Sequence, residues 1–151
     1  MKRFFLTLTI FFSLLTSCQA SSPAISNDAI AGTYVVTLTE EGLRTAGVNN
    51  FFTNDLKNRT WQLEFTKDGV ARLSEGTDIG MRLRAEGPFT LSSDEIAFGA
   101  DTGDYACAKF EIEQGAYQWK LDGDQLILAV TEDECEHRGV IYSTQPWTKQ
   151  P

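Results

Sequence analysis

The stretch Gly115-Ala116-Tyr117-Gln118-Trp119-Lys120-Leu121-Asp122-Gly123-Asp124-Gln125-Leu126-Ile127-Leu128-Ala129-Val130 decides the architecture of this chain. Tyr117, Trp119 and Leu121 alternate with polar residues, Asp122-Gly123-Asp124 supplies a tight turn, and Leu126, Leu128 and Val130 resume the alternation. Side chains two apart share one face of a strand, so the pattern specifies a β-hairpin with one half-buried face.

Upstream the same grammar repeats. A first strand runs from Gly32 to Leu38, with Tyr34, Val36 and Leu38 on one face. Trp61, Leu63 and Phe65 alternate with Gln62 and Glu64, and Lys67-Asp68-Gly69 turns the chain into Val70 to Leu73. Beyond a turn at Asp78 to Gly80, Met81, Leu83 and Ala85 alternate with Arg82, Arg84 and Glu86. The charged face is expected toward water, although in a ligand-holding barrel the polar side can be the inside. Gly87-Pro88 makes an edge or bend before Phe89 and Leu91, because proline cannot donate to a central ladder. Ile96 and Phe98 follow a turn at Ser92 to Glu95, and Gly99 to Gly103 is a polar loop. After the hairpin come the acidic run Thr131 to Glu136 and a final segment, Gly139 to Ser143, before Pro146 and Trp147 close the domain. Counted in this way the chain has about eight strands at barrel or sandwich spacing. The starts Gly32-Thr33-Tyr34, Gly87-Pro88-Phe89 and Gly115-Ala116-Tyr117 are repeated hairpin grammar rather than duplicated domains.

Thr39 to Arg59 breaks the strand rhythm. Thr39 can cap a short helix at Glu40-Glu41, and Asn49 or Asn50 can cap another. Leu43, Val48, Phe51, Phe52 and Leu56 would give the two helices an apolar underside.

The amino terminus carries Lys2 and Arg3 and then an uncharged apolar run from Phe4 to Leu15, which is a signal peptide. The run falls short of the roughly 20 apolar residues that span a bilayer. Leu15-Thr16-Ser17-Cys18 resembles the lipobox of bacterial lipoproteins, which makes Cys18 the lipidated first residue; ordinary cleavage after Ala20 is the rival reading. The division is then a signal peptide over 1–17, a lipidated cysteine and Ser/Ala-rich tether over 18–29, and one barrel domain over 30–151. The expected location is the bacterial cell envelope, on a membrane through the lipid anchor, and the outer membrane where the source has one, since Gln19 rather than aspartate follows Cys18; simple secretion is the alternative. Export also makes a disulfide between Cys107 and Cys135 the default.

Thirteen basic residues face 21 acidic ones, a net charge of −8 that becomes more negative once Lys2 and Arg3 are removed. Such a surface repels nucleic acid and tolerates a cationic protein partner. His137, the only histidine, has no visible nucleophile or proton partner, so no catalytic residue and no enzyme activity are expected. Cys107, Cys135 and His137 could together hold zinc, but in an exported chain the disulfide is favoured. Asp101, Asp104 and the carboxylates from Glu132 to Glu136 match no calcium loop. No metal and no cofactor are expected.

A glycine-led first strand, a helical insertion between strands one and two, and successive hairpins to a carboxy-terminal strand after Arg138 resemble the calycin group, the lipocalins and intracellular fatty-acid-binding proteins. Trp119, Leu121 to Asp124, Asp133, Cys135, Arg138 and Pro146-Trp147 are also similar to lipocalin-like domains of bacterial exported proteins. The resemblance implies a mainly β fold, an antiparallel up-and-down barrel with two short helices between strands 1 and 2. It also implies a late arginine, Arg138, against the residue two after the first-strand glycine, here Tyr34 in place of the usual tryptophan. It further implies a small apolar, lipid-like ligand held under a lid of Leu43, Phe51, Phe52 and Leu56 and lined by Trp61 and Trp119, in a cavity of a few hundred Å³. The alternative is an interaction protein with a filled barrel, such as an inhibitor of a lysozyme or protease, that works through an exposed loop at Gly99 to Gly103 or Thr131 to Glu136.

Overall fold

The hairpin around Gly123 forms as its sequence requires. In the computed structural model, which describes residues 25–151, Gly115–Asp122 and Gln125–Asp133 pair antiparallel and Gly123 takes φ +61°. Glycine adopts that left-handed conformation without steric cost. The segment read as a signal peptide and Cys18 lie outside the described residues.

In chain order the elements are β1 (Gly32–Thr37), α1 (Glu40–Thr45), α2 (Asn50–Leu56), β2 (Thr60–Phe65), β3 (Val70–Thr77), β4 (Gly80–Leu91), β5 (Glu95–Phe98), β6 (Gly115–Asp122), β7 (Gln125–Asp133), α3 (Glu136–Ser143) and β8 (Trp147–Lys149). Each strand pairs antiparallel with its sequence neighbour, and β8 pairs with both β7 and β1. The sheet therefore closes into an up-and-down barrel of eight strands, which removes free edges. The two helices between β1 and β2 start where their caps predict: Thr39 Oγ1 accepts from Gly42 N at 3.0 Å and Asn49 Oδ1 from Phe52 N at 3.1 Å. Helices of one to two turns do not hold in isolation. These two are held by Leu43 and Leu56, both buried in the barrel's core cluster.

The eight strands are not quite those the alternation suggests. Gly87-Pro88 does not divide a strand: β4 runs through it, because Val70 faces Pro88 and the Phe89 N–H finds the Gly69 carbonyl at 2.8 Å. Gly139–Ser143 is not a strand but the body of α3. Its buried residues Arg138, Ile141 and Tyr142 fall at helical spacing, and this outweighs the β-propensity of Val140-Ile141-Tyr142. The strand that closes the barrel is instead Trp147–Lys149.

Two irregularities in the ladders change which side chains face inward. Between β3 and β4 the register passes from Leu73↔Ala85 to Ser74↔Leu83, so Arg84 is an extra residue. A one-residue slip exchanges the faces of a strand. Ala85 is consequently buried, whereas Met81 and Leu83 are 44% and 52% exposed and Arg84 turns inward, opposite to the expected charged outer face. Between β6 and β7 the register passes from Ala116↔Glu132 to Tyr117↔Val130, which makes Thr131 the extra residue. Val130 is left exposed and Asp133 points its carboxylate inside.

The interior is filled by aromatic rings in mutual contact. Phe65 meets Tyr34 and Phe89 with centroids 6.0 and 5.1 Å apart, and Phe98 meets Tyr117 and Tyr142 at 5.5 and 5.0 Å. Tyr142 continues to Trp147 at 6.2 Å. Most of these pairs are edge-on or tilted, the arrangement that ring quadrupoles favour. Tyr34 is not covered by Arg138: its hydroxyl donates to the Ile30 carbonyl at 2.9 Å and Lys149 Nζ stands 5.7 Å from its ring centroid. A lysine within this range is attracted to the ring face, so the partner implied by resemblance is replaced by a residue of β8. Phe98→Ala is expected to destabilise the protein by about 3–5 kcal/mol, because the surrounding rings cannot collapse into the void. Phe51→Ala, at a side chain 76% exposed, should stay within about 0.5 kcal/mol of the parent. Urea denaturation of the two variants checks both values.

Candidate functional site

The barrel has two unlike ends. At the lower end lie the short turns after β2, β4 and β6; at the upper end lie α1, α2, the long β5–β6 connection and the start of α3. Of the lid and lining residues, Leu43, Leu56 and Trp61 come together in the buried core of the upper end, with Phe52 packed against them. Phe51 stacks edge-on against Phe52 but faces solvent. Trp119 is not with this group: its Nε1–H donates to the Ser92 carbonyl at 3.0 Å in the β4–β5 turn, at the lower end. Beneath the upper end, the space between Ala71, Ala85, Phe98, Arg138 and Tyr142 is about 10 Å³, room for a single water.

The inward turn of β4 builds a charged cluster on the rim. Glu75, its side chain only 8% exposed, accepts from Arg59 Nη1 at 2.6 Å and from Arg84 Nε at 2.8 Å. Burial alone would raise the Glu75 carboxyl, but the hydrogen bonds from Arg84 and Arg59 outweigh it and hold the group below its ordinary value of 4.5. The Arg84 guanidinium also lies over the Tyr105 ring at 5.1 Å, and Tyr105 in turn packs edge-on against Trp61 at 5.6 Å. Arg82, further out, pairs with Asp104 at 2.6 Å.

Residues 99–114 form a strap over this end. Because β5 is short, the upper half of β4 would present an unpaired edge, and the strap satisfies it. Glu86 and Thr102 exchange backbone hydrogen bonds at 2.9 and 2.8 Å, and Tyr105 N donates to the Arg84 carbonyl at 2.9 Å. Gly103 permits the close approach: a Cβ there would collide with that same carbonyl, and its φ is +119°. The strap is then fixed to the base of α3 by the Cys107–Cys135 disulfide, the pairing expected from the sequence. His137 lies against the bridge, 3.7 Å from Cys135 Sγ through Nδ1, with Nε2 at 3.0 Å from the Tyr105 carbonyl.

Under the strap is a buried ion pair. Arg138 binds Asp133 through Nε at 2.6 Å and Nη2 at 2.9 Å, with the two side chains 4% and 0% exposed. The Tyr117 hydroxyl donates to the same carboxylate. Burial, reinforced by the neighbouring negative charge, pushes the Tyr117 phenol far above its usual range, so it stays a neutral donor. Among the described residues, the charged group near Arg138 Nη1 beyond Asp133 is Asp101, at 3.9 Å, and Nη1 makes no hydrogen bond to them.

Outside this pair the chain after the strap's 3₁₀ turn and the end of β7 form a groove of about 360 Å³ lined by Glu111, Glu113, Glu132 and Glu134, with Ala97 and Ala116 among its lining residues. Glu132 to Glu134 of the acidic run Thr131 to Glu136 form one wall of it. Glu111 and Glu113, on the other wall, were not singled out by the sequence, whose alternation stops at Phe98 and resumes at Gly115. No protein-family model, curated protein or solved structure matches this chain.

Glu75→Gln is expected to cost about 2–3 kcal/mol at neutral pH, since two guanidinium groups lose their acceptor charge. A carboxyl held below its free value stabilises the fold fully above that value, and the stabilisation is lost as pH falls through the lowered one. The gap between parent and Glu75→Gln should therefore close as urea midpoints are followed from pH 7 to about pH 3. Arg138→Met should cost about 3–5 kcal/mol because it strands a buried carboxylate; thermal unfolding at neutral pH measures it.

Proposed function

We propose that this protein is an envelope-anchored interaction protein with a filled, lipocalin-like barrel, and that it binds a basic protein partner, such as a lysozyme or a protease that it inhibits, through the acidic groove at its upper end. The observation that carries the reading is the ring packing of the interior: Tyr34, Phe65, Phe98, Tyr142 and Trp147 touch in succession across the barrel, and the pocket between Ala71, Phe98 and Tyr142 holds about 10 Å³, whereas a drug-sized ligand needs about 300 Å³ or more. Recognition then falls to the surface. The groove between Glu111, Glu113, Glu132 and Glu134 has room for an inserted Arg or Lys side chain. Carboxylates ranged along it would steer a cationic partner during approach. The strap and the end of β7, which carry those residues, are joined through the disulfide to α3, so the surface is pre-organised and loses little entropy on binding. Lipidation of Cys18 would hold this surface at the membrane.

A second reading, a carrier of a small apolar ligand, draws support from the helical cap formed by Leu43, Phe52 and Leu56 over the barrel and from the exposed Phe51. It requires Trp61 and its neighbours to leave the core.

Calorimetry against a cationic lysozyme and a trypsin-like protease tests the first reading. The parent should bind at least one of them, and the paired change Glu132→Lys with Glu134→Lys should weaken that binding by about tenfold or more at low salt. The difference should shrink at about 0.5 M salt, where the screening length is only a few ångströms. Binding of neither enzyme, or an affinity indifferent to the charge reversal, would reject the groove as the recognition surface.

A further inference from the structure

We propose that the strap carries a redox-gated metal site: when the Cys107–Cys135 disulfide is reduced, the two thiolates and the imidazole of His137 bind one zinc ion. The three groups are brought together by different elements, Cys107 by the strap and Cys135 and His137 by the base of α3, and one ligand atom from each lies within 4.8 Å of the others. Zinc at tetrahedral angles, with Zn–S near 2.3 Å and Zn–N near 2.0 Å, sets sulfur and nitrogen roughly 3.5 Å apart and the two sulfurs roughly 3.8 Å apart. The His137 ring stands 3.7 Å from Cys135 Sγ through Nδ1 and 3.6 Å through Nε2, and Nε2 is 3.9 Å from Cys107 Sγ. Reduction breaks the S–S bond, and side-chain rotation then lets the two sulfurs move apart to the spacing that zinc sets.

The imidazole is prepared for the role. Tyr105 offers a carbonyl, which only accepts, to Nε2 at 3.0 Å. With the Nε2 proton donated to that carbonyl, Nδ1 is the nitrogen left to bind the metal, and the ring has to turn to aim it between the separated sulfurs. A backbone carbonyl on the far nitrogen is the usual second partner of a metal-binding histidine. The ring meets Tyr105 and Phe110 edge-on, with centroids 5.8 and 6.2 Å away. Soft thiolates with one imidazole suit zinc rather than calcium or magnesium, and three protein ligands leave the fourth position to water.

The gate is the disulfide itself. Two electrons and two protons from a dithiol reductant convert the bridge to two thiols while the reductant becomes a disulfide. Zinc then binds as both thiols release their protons. In the oxidised protein the sulfurs are bonded to each other and have no thiolate to offer. Both cysteines are buried, so exchange requires the strap to lift locally. Its 3₁₀ turn at Cys107–Phe110 leaves Phe110 66% exposed, which makes this a lightly packed part of the strap.

Cobalt(II) is the spectroscopic probe, applied to purified protein with Cys18→Ser to remove the third thiol. After anaerobic reduction, thiolate-to-cobalt absorption in the near ultraviolet should saturate at one equivalent per chain and disappear on addition of zinc. The oxidised protein should show none. His137→Ala should weaken binding at least as much as the roughly 10- to 100-fold that loss of an outer partner causes. Near-ultraviolet circular dichroism, recorded alongside, should keep the folded signal in the metal-bound reduced state. Absence of the absorption, equal affinity in His137→Ala, or a reduced chain whose folded signal zinc does not restore would each overturn the site.

Discussion

The ion pair of Asp133 and Arg138 is the constraint on which the upper end of the barrel depends. Two charges taken fully out of water are stable only when paired and hydrogen-bonded with good geometry. Here the carboxylate receives two N–H groups from Arg138, the Tyr117 hydroxyl and the Cys135 N–H. Those partners come from β6, from α3 and from the disulfide-bearing turn between β7 and α3, so one carboxylate sets their mutual position. Gly115 completes the arrangement by omission. Any Cβ there would stand 2.5 Å from Asp133 Oδ2 and 2.6 Å from Arg138 Nη2.

Both ladder irregularities serve this end. The extra residue at Thr131 brings Asp133 inside, and the extra residue at Arg84 brings that guanidinium onto Glu75. Below the bulges the barrel is apolar and packed with rings; above them it is closed by charge pairs and the strap. Met81 and Leu83 become outer-surface residues as the necessary counterpart of Arg84 turning in. The proposed function rests on that division between a ring-packed interior and an acidic exterior.

Much of the fold was legible because β-alternation is strict wherever no bulge intervenes. The strands around Gly69 and Gly123 and the capped helices after Thr39 and Asn49 follow from spacing and turn chemistry, whereas spacing alone left a barrel or a sandwich and the closed barrel was what the calycin resemblance implied. The pairing of Cys107 with Cys135 was expected from the even pair of cysteines left once Cys18 is set aside, and the disulfide is present. What escaped were features of tertiary origin. A bulge has no sequence signature of its own, so the alternation of Met81, Leu83 and Ala85 was continued through Arg84 where the structure reverses it. Val140-Ile141-Tyr142 reads as a strand until the buried positions 138, 141 and 142 are seen to share a helix face. The lid residues Leu43, Leu56 and Trp61 were identified as apolar neighbours, yet apolar character alone does not distinguish the lining of a cavity from the filling of a core.

The filled interior is tested most directly by native mass spectrometry of the protein purified from an oxidising compartment, followed by organic extraction. A bare mass two protons lighter than the reduced chain, with nothing apolar extracted, is expected of a closed barrel that acts from its surface. An apolar molecule retained at close to one per chain would contradict it and place the ligand where Trp61 and its neighbours now pack.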